Sequence, residues 1–344
     1  MAVQPSTVQL AEFRSWFDET DYTNRAALED MMNDPIFTLL GEDTSNNISD
    51  TLATNGVDYS GYALAKIPGG AVTKDAPVEM DTHTIQYITF VQRFNYEMET
   101  ISHDKYKMDD PDGNELIIRL WNSVGLFLTN CLWNQNTGTS FNVLSHDGTI
   151  SYTNTTPDGV AIISASHSGP GYSSKTNIGG TTPLSVPNLT TNITVGQENI
   201  TQPSGHPIAY DADLILVGNH GAMTEGATQI TRSVKVPGSG NNSVNIYSGG
   251  TYDVVEFKHA PKTAAGARST TNADKFKWAT ANSRNLRRMM KYKWNMRPHI
   301  RQSTTIDDNN LDVFRTAVCR LAFMPESPWA FIQNNATAAP VHPG

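Results

Sequence analysis

Apolar residues along this chain come in short groups separated by polar stretches, and the spacing inside each group predicts its secondary structure. After Pro111, with Asp112 placed as an N-cap, Leu116, Leu120, Val124, Phe127, Leu128, Cys131 and Leu132 recur at helical intervals until Gly138. The pattern predicts a helix from about residue 112 to 135, a rod of about 33 Å at ~1.5 Å per residue. Leu116, Leu120, Val124 and Leu128 form an unbroken apolar line along it, as a packing spine requires. A weaker helical spacing joins Leu184, Leu189, Ile193 and Ile200, and Asn219 is placed to cap a short helix through Ile230.

Continuous or alternating apolar runs predict strands at 160–163, 214–217, 244–247, 252–259, 276–280 and 313–323. In the last, Val313, Ala317, Cys319 and Leu321 make one side apolar except for Arg315, and a strand of that length spans a domain. Residues 62–72, around Pro68-Gly69-Gly70, read as a hairpin. Ile85, Tyr87, Ile88, Phe90, Val91 and Phe94 fit either a strand or a half-buried helix, and periodicity does not choose between them. Near the start, Leu10, Phe13, Trp16 and Phe17 share one helical face and Ala27, Met31 and Met32 another. A polar linker at 41–61 follows, so these two pieces are expected to dock on something else.

Only 17% of the residues are charged while Gly, Ser, Thr and Asn abound, which favours strands, turns and ordered loops over long surface helices. A net charge of −9 argues against a general DNA-binding surface, because such a surface neutralises phosphates with Lys and Arg. No apolar run approaches the roughly 18–20 residues of a membrane span, and a basic-then-apolar leader is missing, so a soluble, intracellularly made protein is expected. Cys131 and Cys319 sit in separate apolar segments and read as buried free thiols.

The charge is unevenly spread. The first fifty residues carry ten acidic side chains against Arg14 and Arg25, a net −8 that suits an arm better than a core. Residues 284–301 carry Arg284, Arg287, Arg288, Lys291, Lys293, Arg297 and Arg301 with no acidic residue, interleaved with Met289, Met290, Tyr292, Trp294 and Met296. Cations among aromatics suit stacking on single-stranded bases, a solvated face, or a subunit contact with an acidic partner surface. With an acidic arm on every neighbouring copy, the intersubunit contact is the expected role.

Enzyme chemistry finds little support. No two histidines stand at metal-ligand spacing, and neither cysteine has a ligand neighbour. The nucleophile elbow, the phosphate loop and the dinucleotide fingerprint do not occur, so no metal, cofactor or catalytic residue is expected. Ser166 and His167 are adjacent, but neighbours in a strand point to opposite faces, which does not suit a nucleophile and its base. His167 reads as a loop-edge residue making hydrogen bonds.

The stretch Asp158-Gly159-Val160-Ala161-Ile162-Ile163-Ser164-Ala165-Ser166-His167, followed by a glycine-rich loop and Leu184-Ser185, resembles a motif of the Mu-like major head subunit group. Here Ser168 follows the histidine, where Pro is common in that group. The order of elements and the ending Pro328-Trp329-Ala330-Phe331-Ile332 are similar to the Hong Kong 97-like capsid proteins of tailed bacteriophages. The resemblance implies a mixed α+β Hong Kong 97-like fold: an N-terminal arm (1–55), an E-loop region (56–95) and a P-domain with the spine helix (96–183). An A-domain (184–310) and a return strand with a C-terminal tail (311–344) complete it.

The function implied is a major capsid protein, made in the host cytoplasm, that self-assembles as hexamers and pentamers into the icosahedral virion head. It would enclose double-stranded DNA without sequence-specific binding. The implied partners are a portal and scaffolding or decoration proteins, with no cofactor and no membrane. No long charged helical prefix precedes the arm, which implies a separate scaffolding protein or a prefix already removed. Intersubunit contacts are expected at Arg284, Arg287, Arg288, Lys291, Lys293 and Arg297, and at Lys66 and Ile67 in the hairpin. Some family members cross-link through Lys and Asn; Lys66, Lys74 and Asn334 are the residues here that such a pairing would use. An encapsulin-type compartment enclosing enzymes is the nearest alternative. A secreted glycan-binding or glycan-degrading β-protein, suggested by the Asn, Thr, Gly and Trp content, is a further one and calls for a signal peptide or paired carboxylates.

Overall fold

The computed structural model describes residues 34–45, 51–54, 57–58, 78–79, 83–97, 109–145, 148–201, 205–236, 244–302 and 312–340. The expected helical faces at 10–17 and 27–32 and the hairpin at 62–72, with Lys66, Ile67 and also Lys74, lie outside the described residues.

In chain order the elements begin with helix α1 (Pro35–Leu39) and the short strands β1 (Gly41–Glu42), β2 (Thr51–Thr54), β3 (Val57–Asp58), β4 (Val78–Glu79) and β5 (His83–Gln86). The longer β6 (Ile88–Glu97) precedes helix α2 (Asp109–Thr129), which runs on into a π-helical turn, Asn130–Asn134. Next come β7 (Ser140–Val143), β8 (Ile150–Thr153), β9 (His167–Gly169), β10 (Tyr172–Lys175), β11 (Ile178–Gly180), α3 (Val186–Asn199), β12 (Leu214–Gly218) and α4 (Gly221–Arg232). The order closes with β13 (Asp253–Phe257), α5 (Asn272–Lys275), β14 (Trp278–Ala281), α6 (Ser283–Met289), β15 (Met290–Gln302), β16 (Asp312–Pro325) and β17 (Phe331–Asn334).

Two sheets organise these elements. The first has the order β1-β15-β16-β6, with β15, β16 and β6 antiparallel and β1 parallel to β15. The ambiguous segment 82–94 is settled as strand by its pairing with β16, from Asp312 opposite Glu97 to Leu321 opposite Ile88. Alternation on β16 buries Ala317, Cys319, Leu321 and Phe323 completely, and α2 lies on that face with Leu116, Leu120, Val124 and Leu128 in the same core. Tyr152 of the β7–β8 hairpin closes the layer: its ring meets Phe127 edge-on at 4.9 Å, and its hydroxyl donates to the Phe323 carbonyl.

The second sheet has the order β11-β17-β14-β12-β13. All five residues of β12 are buried because both faces are covered, which explains its continuous apolar run. Leu214 and Leu216 join the core of the first sheet, while Ile215 and Val217 meet Leu189, Met223, Ala227 and Ile230 beneath α3 and α4. Sheet membership crosses the boundaries expected from sequence. β15, inside the expected A-domain, pairs in the first sheet, and β17, inside the expected return segment, pairs in the second.

Several expected elements change form. Helix α2 starts at Asp109, so Asp112 is not its cap; Pro111 falls in the first turn, where its missing N–H is not needed. Residues 160–163 are not a strand, since only a Thr155–Ala161 bridge forms beside Gly159 at φ +78°. Their side chains at Ala161, Ile162 and Ile163 are nonetheless buried. Residues 244–247 make only a bridge, Lys235 to Val244, and His220 rather than Asn219 precedes α4, with no side-chain cap bond, while the Asn219 amide donates to the Ala260 carbonyl.

The far end of α2 is capped from the second sheet. Lys277 is buried, and its Nζ donates to the Trp133 carbonyl while lying 5.4 Å from the centre of that residue's ring. A cation at a helix C-terminus favours the dipole, but the loss of water lowers the Lys277 amine to about 8 from 10.5.

Two predictions follow from this packing. Replacing Leu120 by Ala is expected to cost about 2–5 kcal/mol, read as a lower melting temperature and denaturation midpoint. For Lys277, the unfolded chain holds more protons than the folded one between pH 8 and 10.5, so stability rises with pH there, by up to about 3 kcal/mol. Denaturant unfolding of the parent and of Lys277→Met from pH 7.5 to 10 should show that rise only in the parent.

Candidate functional site

The basic window is two elements rather than one surface. Asn282 caps α6 through its side-chain oxygen, which accepts from the Asn285 amide, and Asp213 accepts from both the amide and the hydroxyl of Ser283. Leu286 and Met289 face the core, so Arg284, Arg287 and Arg288 are turned outward, the latter two in the last turn. The chain then continues as β15, which places Lys291, Lys293 and Arg297 beside the segment 34–45.

That segment is a strap across the edge of the first sheet. Asp34 caps α1 by accepting from the Ile36 amide, and Phe37 stacks on Trp121 at 4.3 Å, with Tyr292 edge-on at 5.5 Å. β1 then adds to β15 in parallel, Gly41 opposite Lys291 and Glu42 opposite Tyr292. Gly41 is required by the approach: a Cβ there would lie 2.2 Å from the Arg287 carbonyl oxygen.

The register brings acid and base together within one chain. Glu42 pairs with Arg297, Asp43 with Lys293 at 3.3 Å, and the Arg287 guanidinium donates to the Thr38 carbonyl at 2.6 Å. Lys293 is only 1% exposed and also donates to Ser45, so it cannot reach another subunit. Burial raises the Asp43 carboxyl, but hydrogen bonds from the Ser45 amide and hydroxyl and from Lys293 outweigh it and hold the group below its ordinary value. Lys291 pairs with Glu326 at 2.9 Å. The expectation that Lys293 meets the arm of another subunit is therefore corrected, since its partner Asp43 is in its own chain and it is buried; Arg297 pairs with Glu42 of its own chain and stays exposed. Arg284 and Arg288 are exposed, and no described residue pairs with them.

A second polar cluster lies in the segment that carried the Mu-like resemblance. His167 is fully buried rather than at a loop edge, and its Nδ1 is 2.8 Å from Asp158. Burial raises the Asp158 carboxyl, while hydrogen bonds from His167, Thr156 and the Val160 amide outweigh it and leave the group lowered. The Ser166 hydroxyl meets Ser174 and not His167. A nucleophile beside its base is therefore not formed at Ser166, and the Asp158–His167 pair closes a turn. Nothing in the spacing of Asp158 and His167 signalled this pair. Nothing in the residue pattern signalled Lys277.

Among the described residues no group of His, Cys, Asp or Glu is placed to hold a metal ion, and no helix is long and apolar enough to cross a membrane. Cys131 and Cys319 are buried free thiols, both raised by desolvation, Cys319 to about 12. The described surface also carries three apolar side chains that are more than two-thirds exposed: Val234 at 73%, Val244 at 75% and Ile246 at 71%.

No family model and no curated protein matches the chain. Solved structures do. The chain is similar to one in the asymmetric unit of the bacteriophage PhiM1 mature capsid, at 9% identity and a TM-score of 0.51 over 90% of this chain and 88% of that one. It is similar to a chain in the capsid of the native GTA particle, at 11% identity and a TM-score of 0.50 over 87% and 89%. A chain of Gordonia phage Cozz matches at 12% identity and a TM-score of 0.50 over 88% and 86%. The likeness to the Mu-like subgroup rests on residues 158–167 with the glycine-rich loop and Leu184-Ser185 that follow, and no match to it was found. At these identities the likeness is one of fold, and the chain has the mixed α/β, Hong Kong 97-like fold of these phage and GTA capsid subunits.

Proposed function

We propose that this chain is the repeating subunit of a tailed-phage head, a major capsid protein that assembles with copies of itself into a shell around double-stranded DNA. The observation that carries the reading is the fold shared with capsid chains along nearly nine-tenths of both partners' lengths. In this reading α2 and the first sheet form the P-domain, and the second sheet with α3 and α4 forms the A-domain. The work is geometric: weak contacts repeated around symmetric rings add up to a stable shell while each single contact stays correctable. A net charge of −9 suits containment of DNA better than adhesion to it. Hexamers and pentamers, a portal, and scaffolding or decoration proteins belong to the same proposal.

Two surface features are assigned to contact with a second copy. The segments around Val234, Val244 and Ile246 expose apolar area that a neighbour would cover. Arg284 and Arg288 would meet the acidic part of a neighbour's arm, where residues 1–33 carry six acidic side chains against two arginines. Exposed pairs contribute only about 0–1 kcal/mol each, so several must act together and their effect must fall with salt.

Sedimentation velocity tests this directly. The chain is expected to form large, uniform particles, which hold DNA when they are taken from phage-producing cells, whereas a compartment of the encapsulin kind would contain protein cargo. Arg284→Glu with Arg288→Glu should leave a folded, slowly sedimenting subunit, and reversing Asp18, Glu19 and Asp21 to Lys should partly restore the particles. A failure of that restoration, together with assembly indifferent to salt, would remove the arm contact. Slow sedimentation of the unaltered chain under all conditions would remove the shell.

A further inference from the structure

The loop after β13 bridges the two sheets in a way that the shell reading does not use. It folds back on itself through a Lys262–Arg268 bridge and a hydrogen bond from the Thr263 amide to the Ala267 carbonyl. Its outer side lies on α2 and the π-helical turn. Asn130 donates to the Ala264 carbonyl at 3.3 Å, Asn134 donates to the His259 carbonyl at 3.0 Å, and the Lys262 amide donates to the Asn134 side-chain oxygen at 3.3 Å. Gly266 sits against Leu126, where a Cβ would stand 3.1 Å from Cδ2.

His259 is the centre of this contact. It is 7% exposed, and the Nε2–Cδ2 edge of its ring lies against Gly125, where a Cβ would be 2.7 Å from Nε2 and 2.9 Å from Cδ2. A side chain at position 125 would push the imidazole out of this place. Its Nδ1 is 3.2 Å from the Lys262 ammonium, which has only protons to give, so Nδ1 accepts and the ring is neutral. The charged groups acting on the ring are Lys262 and Lys258 from its own loop and Asp34 from the cap of α1, which pairs with Lys258 at 3.5 Å. α2 offers Gly125 there and no charge.

We propose that the loop 258–268 is an acid-sensitive latch: a neutral His259 clamps the loop to the spine helix, and protonation beside Lys258 and Lys262 releases the clamp. The sign follows from the burial. Desolvation first, and the two lysines after it, lower the His259 imidazole to about 4 from 6.5. The released loop then binds protons more readily than the latched one, so the latch is at full strength above pH 6.5 and weakens as the pH falls through that value towards 4. The inference does not depend on whether the chain builds a shell.

Hydrogen exchange on the full chain at pH 7.5 and pH 5.0, corrected for intrinsic rates, tests it. Amides of residues 259–268 should open roughly tenfold or more readily at pH 5.0, while those of β12 and β16 stay unchanged. His259→Gln, neutral at both pH values, should remove the difference, and Gly125→Ala, which displaces the ring, should leave the loop open at both. Equal protection of the unaltered loop at both pH values would overturn the latch, as would a pH difference that survives in His259→Gln. Should either variant fail to fold, the NMR titration of His259 in the parent decides: a midpoint well below 6.5 supports the latch, and one at or above 6.5 overturns it.

Discussion

A buried peptide group must be paired, and in this chain the pairing of long irregular stretches is supplied by buried carboxamides. A carboxamide brings two donors and an acceptor without a charge, so it can bind several backbone groups at less desolvation cost than an ion. Asn177, fully buried, donates to the carbonyls of Ile162 and Pro328 and accepts from the Ser164 amide. It thereby holds the turn after Gly159 against the start of β17. Asn245 does the same for the end of α4, donating to the carbonyls of Ile230 and Ser233 and accepting from the Tyr247 amide. Asn154 reaches the Cys131 carbonyl, and Asn136 links the Leu132 carbonyl to the Gln333 side chain. With Asn130 and Asn134, Asn136 and Asn154 gather around the end of α2, where Asn134 and Asn136 tie it to the second sheet and the loop after it without a disulfide or a metal among the described residues.

The spine helix was legible because its signal is local: Leu116, Leu120, Val124 and Leu128 repeat on one face whatever packs against them. β12 and β16 were legible for a similar reason, one as a run buried on both faces and the other as an alternation. The apolar runs at 160–163 and 244–247 misled, because burial alone does not make a strand. Ile162 and Ile163 are buried by a turn that Asn177 and Asp158 hold, and Val244 and Ile246 are not buried at all. Asparagine abundance pointed to loops, yet the sequence offers no means of telling a buried carboxamide from an exposed one. The partner groups lie far along the chain, 151 residues away in the case of Asn177 and Pro328.

The same limit applied to charge. A run of cations and a run of acids in one sequence state that the two can attract, and only the register of β1 on β15 states that Glu42 and Asp43 satisfy Arg297 and Lys293 within the subunit. The internal use of these pairs makes the strap a part of the rigid body. In the proposed shell, Arg284 and Arg288, together with the exposed Val234, Val244 and Ile246, are the described residues assigned to a neighbour.

In the proposed shell, a body fixed internally by its own polar groups repeats itself through these surfaces. Electron cryomicroscopy of particles formed by this chain measures that repetition most directly. It should show icosahedral shells in which each subunit keeps α2 against the first sheet, with Val244 and Ile246 covered by an adjacent copy. Isolated subunits, or shells in which these residues face solvent on every copy, would contradict it.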